Sequence, residues 1–264
     1  MTLTASNAHA ILMREYGPPD VLSYAEVPLS PLAPDEVRIR SIASAVNHTD
    51  LEIRAGSWPV RKQQPFPYVP GVEVVGAIDE VGCAVQEFRH GDRVITMMQG
   101  LGGVRAERCG SYAEYVTVSA AAVAPVASGI DDYEMAAVGL VGVTAFEGLR
   151  RIGALSGRRI VVTGAAGGIG SAATAIARAQ GASVIAVVAR SAQVDYVRSL
   201  GADEVVVSRE AKQCRCCNPA VSMVSLTPSE ANCSRRSWRR CGPAARCRWS
   251  ARSAAATSDS MPSN

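Results

Sequence analysis

Short segments rich in apolar residues recur in the first part of the chain, and Pro and Gly residues separate these segments. Short apolar segments that are bounded by such turn residues are typical of β-strands. The segments are EVRIRSIAS, GVEVVGAIDEVG, GDRVITMM and GSYAEYVTVSA. We therefore predict a β-rich domain over residues 1–125.

The pattern becomes helical after this domain. From Asp131 to Leu149 the apolar residues recur at helical spacing, with Asp131 in position to cap the helix and Glu134 three residues later. This helix leads into a second predicted domain, residues 126–210.

A strand, a glycine turn, a helix and a second strand follow within one short unit. Ile160–Val162 is wholly apolar, as expected for a strand buried on both faces of a parallel sheet. The predicted helix runs from about Gly168 to Gln180 and stops at Gly181, and Ser183–Val188 is the second strand. A further strand is predicted near Glu204–Val207. The fold class is therefore α/β.

The turn between the first strand and the helix has the composition of a dinucleotide site. Glycines at such positions permit a tight bend and a close approach of backbone N–H groups to a pyrophosphate, and the helix N-terminus favours negative charge. A tight turn without a ligand is the alternative. The predicted contacts are Gly164, Ala166, Gly167, Gly168, Ile169 and Gly170.

The residues after the second strand favour NADPH over NAD. A site for NAD places an Asp or Glu there to bind the ribose 2′-hydroxyl, whereas this chain has Ala189, Arg190 and Ser191 after Val188. Arg190 could pair with a 2′-phosphate, with Ser191 beside it. An arginine that is merely solvated is the alternative.

Composition limits the remaining possibilities. The chain has 264 residues, of which 48% are hydrophobic and 19% charged. We find no apolar run long enough to cross a bilayer and no signal-peptide pattern, so we expect a cytoplasmic protein without a membrane partner.

The order of segments resembles the medium-chain dehydrogenase/reductase superfamily, in its zinc-less quinone oxidoreductase (zeta-crystallin-like) branch. The resemblance spans about Ala10 to Glu210 and rests on AVNHTDLEIRAG, PYVPGVEVVGAIDEVG, GDRV, GSYAEYVTV, GLVGVTAFEGL, VTGAAGGIG and LGADEVV. It implies a GroES-like β-rich domain joined to a Rossmann domain, with the active site in the cleft.

The same resemblance argues against a metal. Zinc enzymes of the superfamily carry a Cys and a His where this chain has Asn47 and Val72, and their four-cysteine lobe is reduced here to Cys109. We expect His48 to be a partly exposed histidine bonded to backbone. No metal site is predicted.

Without a metal, direct hydride transfer to a quinone or an activated enone is the chemistry that the resemblance implies. It places Asn47 and Thr144 near the cofactor. Asn47 and Asp50 are pocket candidates, although Asp50 could equally fix the loop, and the catalytic residue stays unassigned. Glu52 replaces a Tyr that is common in close relatives, which leaves the acceptor open.

Other functions remain as alternatives. The turn also fits short-chain dehydrogenases, but the required Tyr-x-x-x-Lys pair is missing, since Leu200 follows Tyr196 by four positions. A non-catalytic nucleotide-binding or regulatory module is one alternative. An alcohol dehydrogenase-type enzyme or an enoyl reductase of the same superfamily is another.

Residues 211–264 have a different composition, with six of the eight cysteines and nine of the 27 Lys+Arg. A zinc or disulfide element and an arginine-rich nucleic-acid arm are two explanations, but cysteine spacing argues against the first and nucleic acid is an unlikely partner. The third is a frameshift near Glu210. If each codon of this region is started one base earlier, the DNA can encode VDTVGG and LRPGG. These two strings resemble later parts of the family's Rossmann domain.

A frameshift predicts an incomplete Rossmann domain followed by an irregular or disordered tail. The sheet would end at Glu204–Val207, and we expect low or absent activity. Family members are often homodimers, but the dimerising strand would fall in the altered tail, so the dimer is doubtful for this chain.

Overall fold

The structure, a computed structural model, describes residues 7–58, 66–98, 101–103, 105, 107–207 and 223–226. The chain divides into two compact units, Met1–Leu140 and Val141–Asn264. The boundary between the units falls inside a helix. The domain limits predicted from the sequence, 1–125, 126–210 and 211–264, stay a prediction.

The first unit consists mainly of short antiparallel strands. They are β1 (Asn7–Met13), β2 (Leu22–Pro28), β3 (Glu36–Ala43), β4 (Glu73–Val81), β5 (Arg93–Met97), β6 (Tyr115–Ser119) and β7 (Val123–Pro125). The four predicted strand segments correspond to β3, β4, β5 and β6, so the predicted β-rich domain is confirmed.

Strand β4 is central in the larger of the two sheets that the described residues of this unit form. The strand order is β6-β3-β4-β5-β7, and β1 pairs with β2 in a separate sheet. Six consecutive residues from the start of β4 are buried, whereas its last residues reach solvent. The interior face of this sheet holds an apolar cluster that includes Val37, Ile39, Val74 and Ile78.

Among the described residues of the first unit, two α-helices begin. Helix α1 (His48–Ala55) ends at Gly56, whose φ of +77° is a left-handed conformation that glycine adopts without strain. Helix α2 (Asp132–Ile152) begins after Asp131, whose Oδ1 accepts the N–H of Tyr133 at 2.9 Å and that of Glu134 at 3.3 Å. The predicted N-cap is therefore confirmed.

The second unit contains a sheet with helices packed against it. Its strands are β8 (Arg159–Thr163), β9 (Ser183–Val188), β10 (Glu204–Val207) and β11 (Met223–Leu226), and its later helices are α3 (Gly168–Ala179) and α4 (Val194–Ser199). Three short 3-10 turns complete the described elements, at Pro19–Val21, Ala120–Ala122 and Ser191–Gln193. Strands β8, β9 and β10 are parallel, which confirms the α/β class.

The end of the sheet differs from the sequence-based expectation. We expected Glu204–Val207 to be the last regular element, but Met223–Leu226 forms β11 and pairs antiparallel with β8, from Met223 opposite Val162 to Leu226 opposite Arg159. Backbone pairing needs no particular side-chain pattern, so a short apolar segment can add to an open sheet edge. The prediction of a disordered tail otherwise lies outside the described residues.

None of the helices in the described part of the chain combines the length and apolarity that a membrane span requires.

Candidate functional site

The glycine turn lies directly between β8 and α3. Strand β8 ends at Thr163, and Gly164 follows with a φ of +62°. The turn is fastened by Ala165, whose N–H donates to Val187 O of β9 at 3.1 Å, and by Gly167, whose N–H donates to Gly164 O at 2.9 Å. The turn therefore starts at the carboxyl end of the parallel strand, where α/β proteins bind nucleotides.

The turn is compact because glycines, which have no side chain, occupy its closest contacts. A Cβ on Gly170 would lie 2.2 Å from Gly164 O and 2.7 Å from Ala165 Cα. A Cβ on Gly167 would lie 3.3 Å from the same oxygen. The backbone of α3 can approach the end of β8 this closely only with glycine at position 170.

Helix α3 begins at this turn. Gly167 is its N-cap and Gly168 its first residue, so the N–H groups of Gly168, Ile169 and Gly170 belong to the first turn, which has no intrahelical acceptors. Such groups, with the positive end of the helix dipole, form a site for a phosphate. The turn therefore fits the pyrophosphate of a dinucleotide.

Small residues hold α3 against the sheet. Ala165, Ala173 and Ala177 are fully buried in the apolar cluster of this unit. The buried Thr174 donates its hydroxyl to Gly170 O at 2.9 Å. Because these side chains are short, the helix and the sheet can pack closely while the turn between them keeps its shape.

The predicted 2′-phosphate residues lie just past β9. Arg190 and Ser191 are both exposed, and the N–H of Arg190 donates to Gln193 Oε1 at 3.1 Å. This bond starts the 3-10 turn at Ser191–Gln193. Arg190 is therefore on the surface of the unit that carries the glycine turn, and no acidic residue stands between β9 and it.

Thr144 lies on α2 and is half-buried. Together with Gly164–Gly170, Arg190 and Ser191 it belongs to the second unit. The other two candidates, Asn47 and Asp50, belong to the first unit, and the structure brings these two together at the start of α1.

Asn47 precedes α1 and Asp50 is the third residue of the helix. The Asn47 N–H donates to Asp50 Oδ2 at 2.8 Å, half of the reciprocal arrangement that is common at helix N-termini. Asp50 is only 4% exposed. Burial raises the pKa of its carboxyl, although the hydrogen bond from Asn47 opposes that shift. Asp50 thus fixes the loop that carries Asn47.

Sequence reasoning missed a second buried carboxylate, that of Glu73 at the start of β4. Its Oε1 accepts the Asn47 Nδ2–H at 2.6 Å, and its Oε2 accepts the Leu140 N–H at 2.7 Å. Burial raises the pKa of Glu73 and both hydrogen bonds oppose the shift. A lone acidic residue in the apolar run GVEVVGAI was the signal that could have identified it.

Two tyrosines lie near the buried carboxylates. Burial and the charge of Asp50 raise the pKa of Tyr68 and of Tyr112, so both phenols stay protonated at neutral pH. The Tyr112 hydroxyl donates to Ala45 O at 3.4 Å, and the Tyr68 hydroxyl donates to Gly103 O at 3.0 Å. These neutral donors add no positive charge to the site.

At the two positions where the zinc enzymes carry metal ligands, this chain has residues of a different chemical type. The Val72 side chain is fully buried and has no atom that could bind zinc, and the Asn47 amide donates a hydrogen bond to Glu73. Over the described ranges, no group of three or more His, Cys, Asp or Glu could hold a metal. His48 is 82% exposed and faces Glu52 at 3.3 Å, rather than bonding to backbone as expected.

Family models match both units. The alcohol dehydrogenase GroES-like domain matches residues 33–128, and the zinc-binding dehydrogenase model matches residues 168–222.

Individual proteins show the same similarity. An NADPH-dependent alkenal/one oxidoreductase from Arabidopsis thaliana is 35% identical over 72% of this chain and 49% of its own length. Human quinone oxidoreductase is 32% identical over 76% of this chain and 59% of its own. The crystal structure of Escherichia coli quinone oxidoreductase complexed with NADPH has a TM-score of 0.65 and 26% identity, over 77% of this chain and 59% of that one. The chain thus spans about half to three fifths of the length of these relatives.

Proposed function

The chain belongs to the zinc-less medium-chain dehydrogenase/reductase family of quinone oxidoreductase type, and from this premise we propose that it is an NADPH-dependent oxidoreductase that reduces a quinone or an activated enone. The observation that carries the proposal is the glycine turn, at which Gly170 lets α3 start against the end of β8. The family is nicotinamide-dependent, and the choice of NADPH and of the acceptor is our proposal.

The second unit would bind the cofactor through backbone and charge. The first N–H groups of α3 bind the pyrophosphate, and Gly167 leaves room for it. Arg190 pairs with the 2′-phosphate and Ser191 donates a hydroxyl to it. An NAD site would need a carboxylate after Val188, which this chain lacks.

The chemistry needs no metal in this proposal. When bound, NADPH supplies a hydride from its nicotinamide ring. The acceptor takes the hydride and one proton from solvent, so a quinone becomes a hydroquinone, or the C=C bond of an enone becomes a single bond, while NADP⁺ is released. The protein contributes binding and orientation, and the half-buried amide of Asn47 is its candidate group near the nicotinamide.

Titration of the purified full chain with NADPH and with NADH tests the cofactor proposal, using the fluorescence of the reduced nicotinamide. We expect saturable binding of NADPH and weaker binding of NADH. Equal affinities, or preference for NADH, would contradict the role of Arg190.

Turnover tests the acceptor. We expect NADPH oxidation with a simple 1,4-quinone or with 2-hexenal, unchanged by a metal chelator, after subtraction of the reaction without protein. If the protein instead reduces NADP⁺ with a primary alcohol, and a metal chelator abolishes this activity, the result would favour an alcohol dehydrogenase-type enzyme. Binding of NADPH without turnover of either acceptor would favour the non-catalytic module.

The reading frame after Glu210 affects the rate that we expect. A frameshifted tail predicts slow or absent turnover by this chain. Sequencing the coding DNA from about codon 200 to beyond the stop codon tests this, and a chain with the restored frame should then reduce the same acceptors faster. If no single-base change yields VDTVGG and LRPGG, the frameshift hypothesis is wrong.

A further inference from the structure

A pocket of about 340 Å³ lies in the first unit, and none of the candidate residues predicted from the sequence lines it. Its walls come from β1, the end of β2, the start of β3, β6 and the loops beside them. All of these residues belong to Met1–Leu140, so the pocket lies within one unit. Sites for small molecules occupy roughly 300–1,000 Å³, and this volume is within that range.

One wall of the pocket is apolar and is built from small side chains. Ala10 and Val69 are buried in an apolar cluster, and Val27 and Ala113 pack against that cluster. Ala10 of β1 pairs with Ala113, and both alanines line the pocket. Their methyl groups leave space that longer side chains would fill. This wall therefore favours a ligand with an apolar body.

Arg108 lines the polar side of the pocket, and Glu36 orients it. The Nη1 group of Arg108 forms an ion pair with Glu36 Oε1 and donates to Thr117 O at 3.5 Å. The hydrogen bond from Arg108 holds the pKa of Glu36 below its ordinary value, so this carboxylate stays charged. Both hydrogen bonds that Arg108 donates to described residues use Nη1, so Nε and Nη2, which share one edge of the guanidinium, remain for a ligand.

The charged groups that line the pocket have partners of opposite charge. Glu36 is paired with Arg108, and the second lining carboxylate, Glu107, lies 2.9 Å from Arg105 Nε. An anionic ligand would face two carboxylates, and a cationic ligand would face the guanidinium that still has donors. Contacts between like charges weaken binding. The pocket therefore favours a neutral ligand.

We propose that this pocket binds a neutral, mainly apolar carbonyl compound, whose oxygen accepts hydrogen bonds from the Arg108 guanidinium while its body lies against Ala10, Val69 and Ala113. A guanidinium only donates, so the ligand must supply an acceptor. A carbonyl oxygen has two lone pairs, so it can accept from Nε and Nη2 together without carrying a charge. The inference does not depend on the proposed function, because no residue that we assign to the cofactor lines the pocket.

Alkylation of Cys109 tests the proposal, because this exposed cysteine lines the pocket and the exposed Cys83 does not. The purified full chain is treated with iodoacetamide, and peptide mass spectrometry gives the rate at each of these two cysteines. The probe is acetophenone at about 10 mM, since a ligand of its size should have a Kd of about 1 mM. We expect it to slow the alkylation of Cys109 at least about threefold and to leave that of Cys83 unchanged.

The charge of the probe provides a control that needs no variant. Benzoate and benzylamine have the same ring as acetophenone, but they carry a negative and a positive charge. Neither should protect Cys109 at the same concentration. No protection by acetophenone, equal protection by all three compounds, or equal protection of both cysteines overturns the proposal. The assay contains no cofactor, so a failure to bind NADPH or to reduce an acceptor does not affect this result.

Two variants locate the ligand within the pocket. Ala113→Leu fills the space at the apolar wall and should abolish the protection, whereas Ala55→Leu, at an exposed position of α1, should retain it. Arg108→Met removes the donors, and Glu36→Gln in the same chain avoids a carboxylate without its partner. This double variant should need about 10-fold more acetophenone for the same protection.

Unchanged protection in Ala113→Leu or in the double variant overturns the assignment. If Ala113→Leu does not fold, the double variant decides: weaker protection of Cys109 supports the proposal, and protection equal to that of the wild type overturns it.

Discussion

Gly170→Ala is the substitution that most directly tests the glycine turn. In a helix interior, alanine is favoured over glycine by about 1 kcal/mol. At position 170 the new Cβ would meet Gly164 O at 2.2 Å, Ala165 Cα at 2.7 Å and Gly164 C at 2.8 Å. All three atoms are backbone atoms, which cannot rotate away as a side chain would.

The clash outweighs the gain in helix propensity. Overpacking costs about 1–3 kcal/mol, and contact with fixed backbone places this case near the upper value. After subtraction of the propensity gain we expect a net loss of about 2 kcal/mol. With about 2–4 °C per kcal/mol for a chain of this size, the midpoint of thermal unfolding should fall by about 4–8 °C.

Gly142→Ala is the matched control. Gly142 also lies within a helix, α2, but a Cβ there meets nothing within 4 Å. This variant should gain about 1 kcal/mol, with a rise of about 2–4 °C. The two variants thus make the same chemical change in helices and differ only in the space around the new methyl group.

Thermal unfolding followed by circular dichroism, together with NADPH titration, measures both effects. Gly170→Ala should weaken NADPH binding by at least about 10-fold, because a shifted Gly164 displaces the N–H groups that bind phosphate. Gly142→Ala should bind as the wild type does. A Gly170→Ala variant as stable as Gly142→Ala, with unchanged NADPH affinity, would refute the reasoning about the turn.

Three further substitutions test other parts of the structure. Arg190→Ala should weaken NADPH binding about 10-fold and leave NADH binding unchanged, because it removes a charge-assisted bond to the 2′-phosphate; an equal loss for both in parallel titrations would contradict this. Asp131→Ala should lower the free energy of unfolding by about 1 kcal/mol in urea titrations, since it removes the cap of α2, and a loss below about 0.3 kcal/mol would argue against the cap. Burial raises the pKa of Glu73 above the ordinary value of 4.5, so the folded chain binds that proton more tightly than the unfolded chain does. The stability of the wild type relative to Glu73→Gln should therefore be greatest below pH 4.5 and fall as the pH rises through the folded pKa; a difference in unfolding midpoint that grows with pH would have the wrong sign.

Local patterns explain why much of the second unit could be predicted from the sequence. Strand β9 was predicted at Ser183–Val188 and has those bounds in the structure. Helix α3 ends at Ala179, one residue before the predicted end. Each of these elements depends on apolar periodicity and on glycines within a few residues of it, and such interactions act along the chain regardless of the rest of the fold.

The candidate site in the first unit was only partly predictable. Asn47 and Asp50 were candidates because of the segment that contains them, and their mutual bond joins residues three positions apart. Glu73 was missed, because its partners are 26 and 67 residues away in the chain. Nothing in its neighbours along the sequence indicates which donors the fold brings to its carboxylate.

The order of elements, the glycine turn and the cap of α2 follow from the sequence by itself, since near neighbours along the chain determine them. Two features were decided only by the tertiary structure, namely the hydrogen bonds of Glu73 and the pairing of β11 with β8. A buried carboxylate must find donors wherever the packing supplies them, and a strand pairs with whichever edge the fold leaves open. Both are contacts between distant segments, and folding must bring those segments together before the contacts exist.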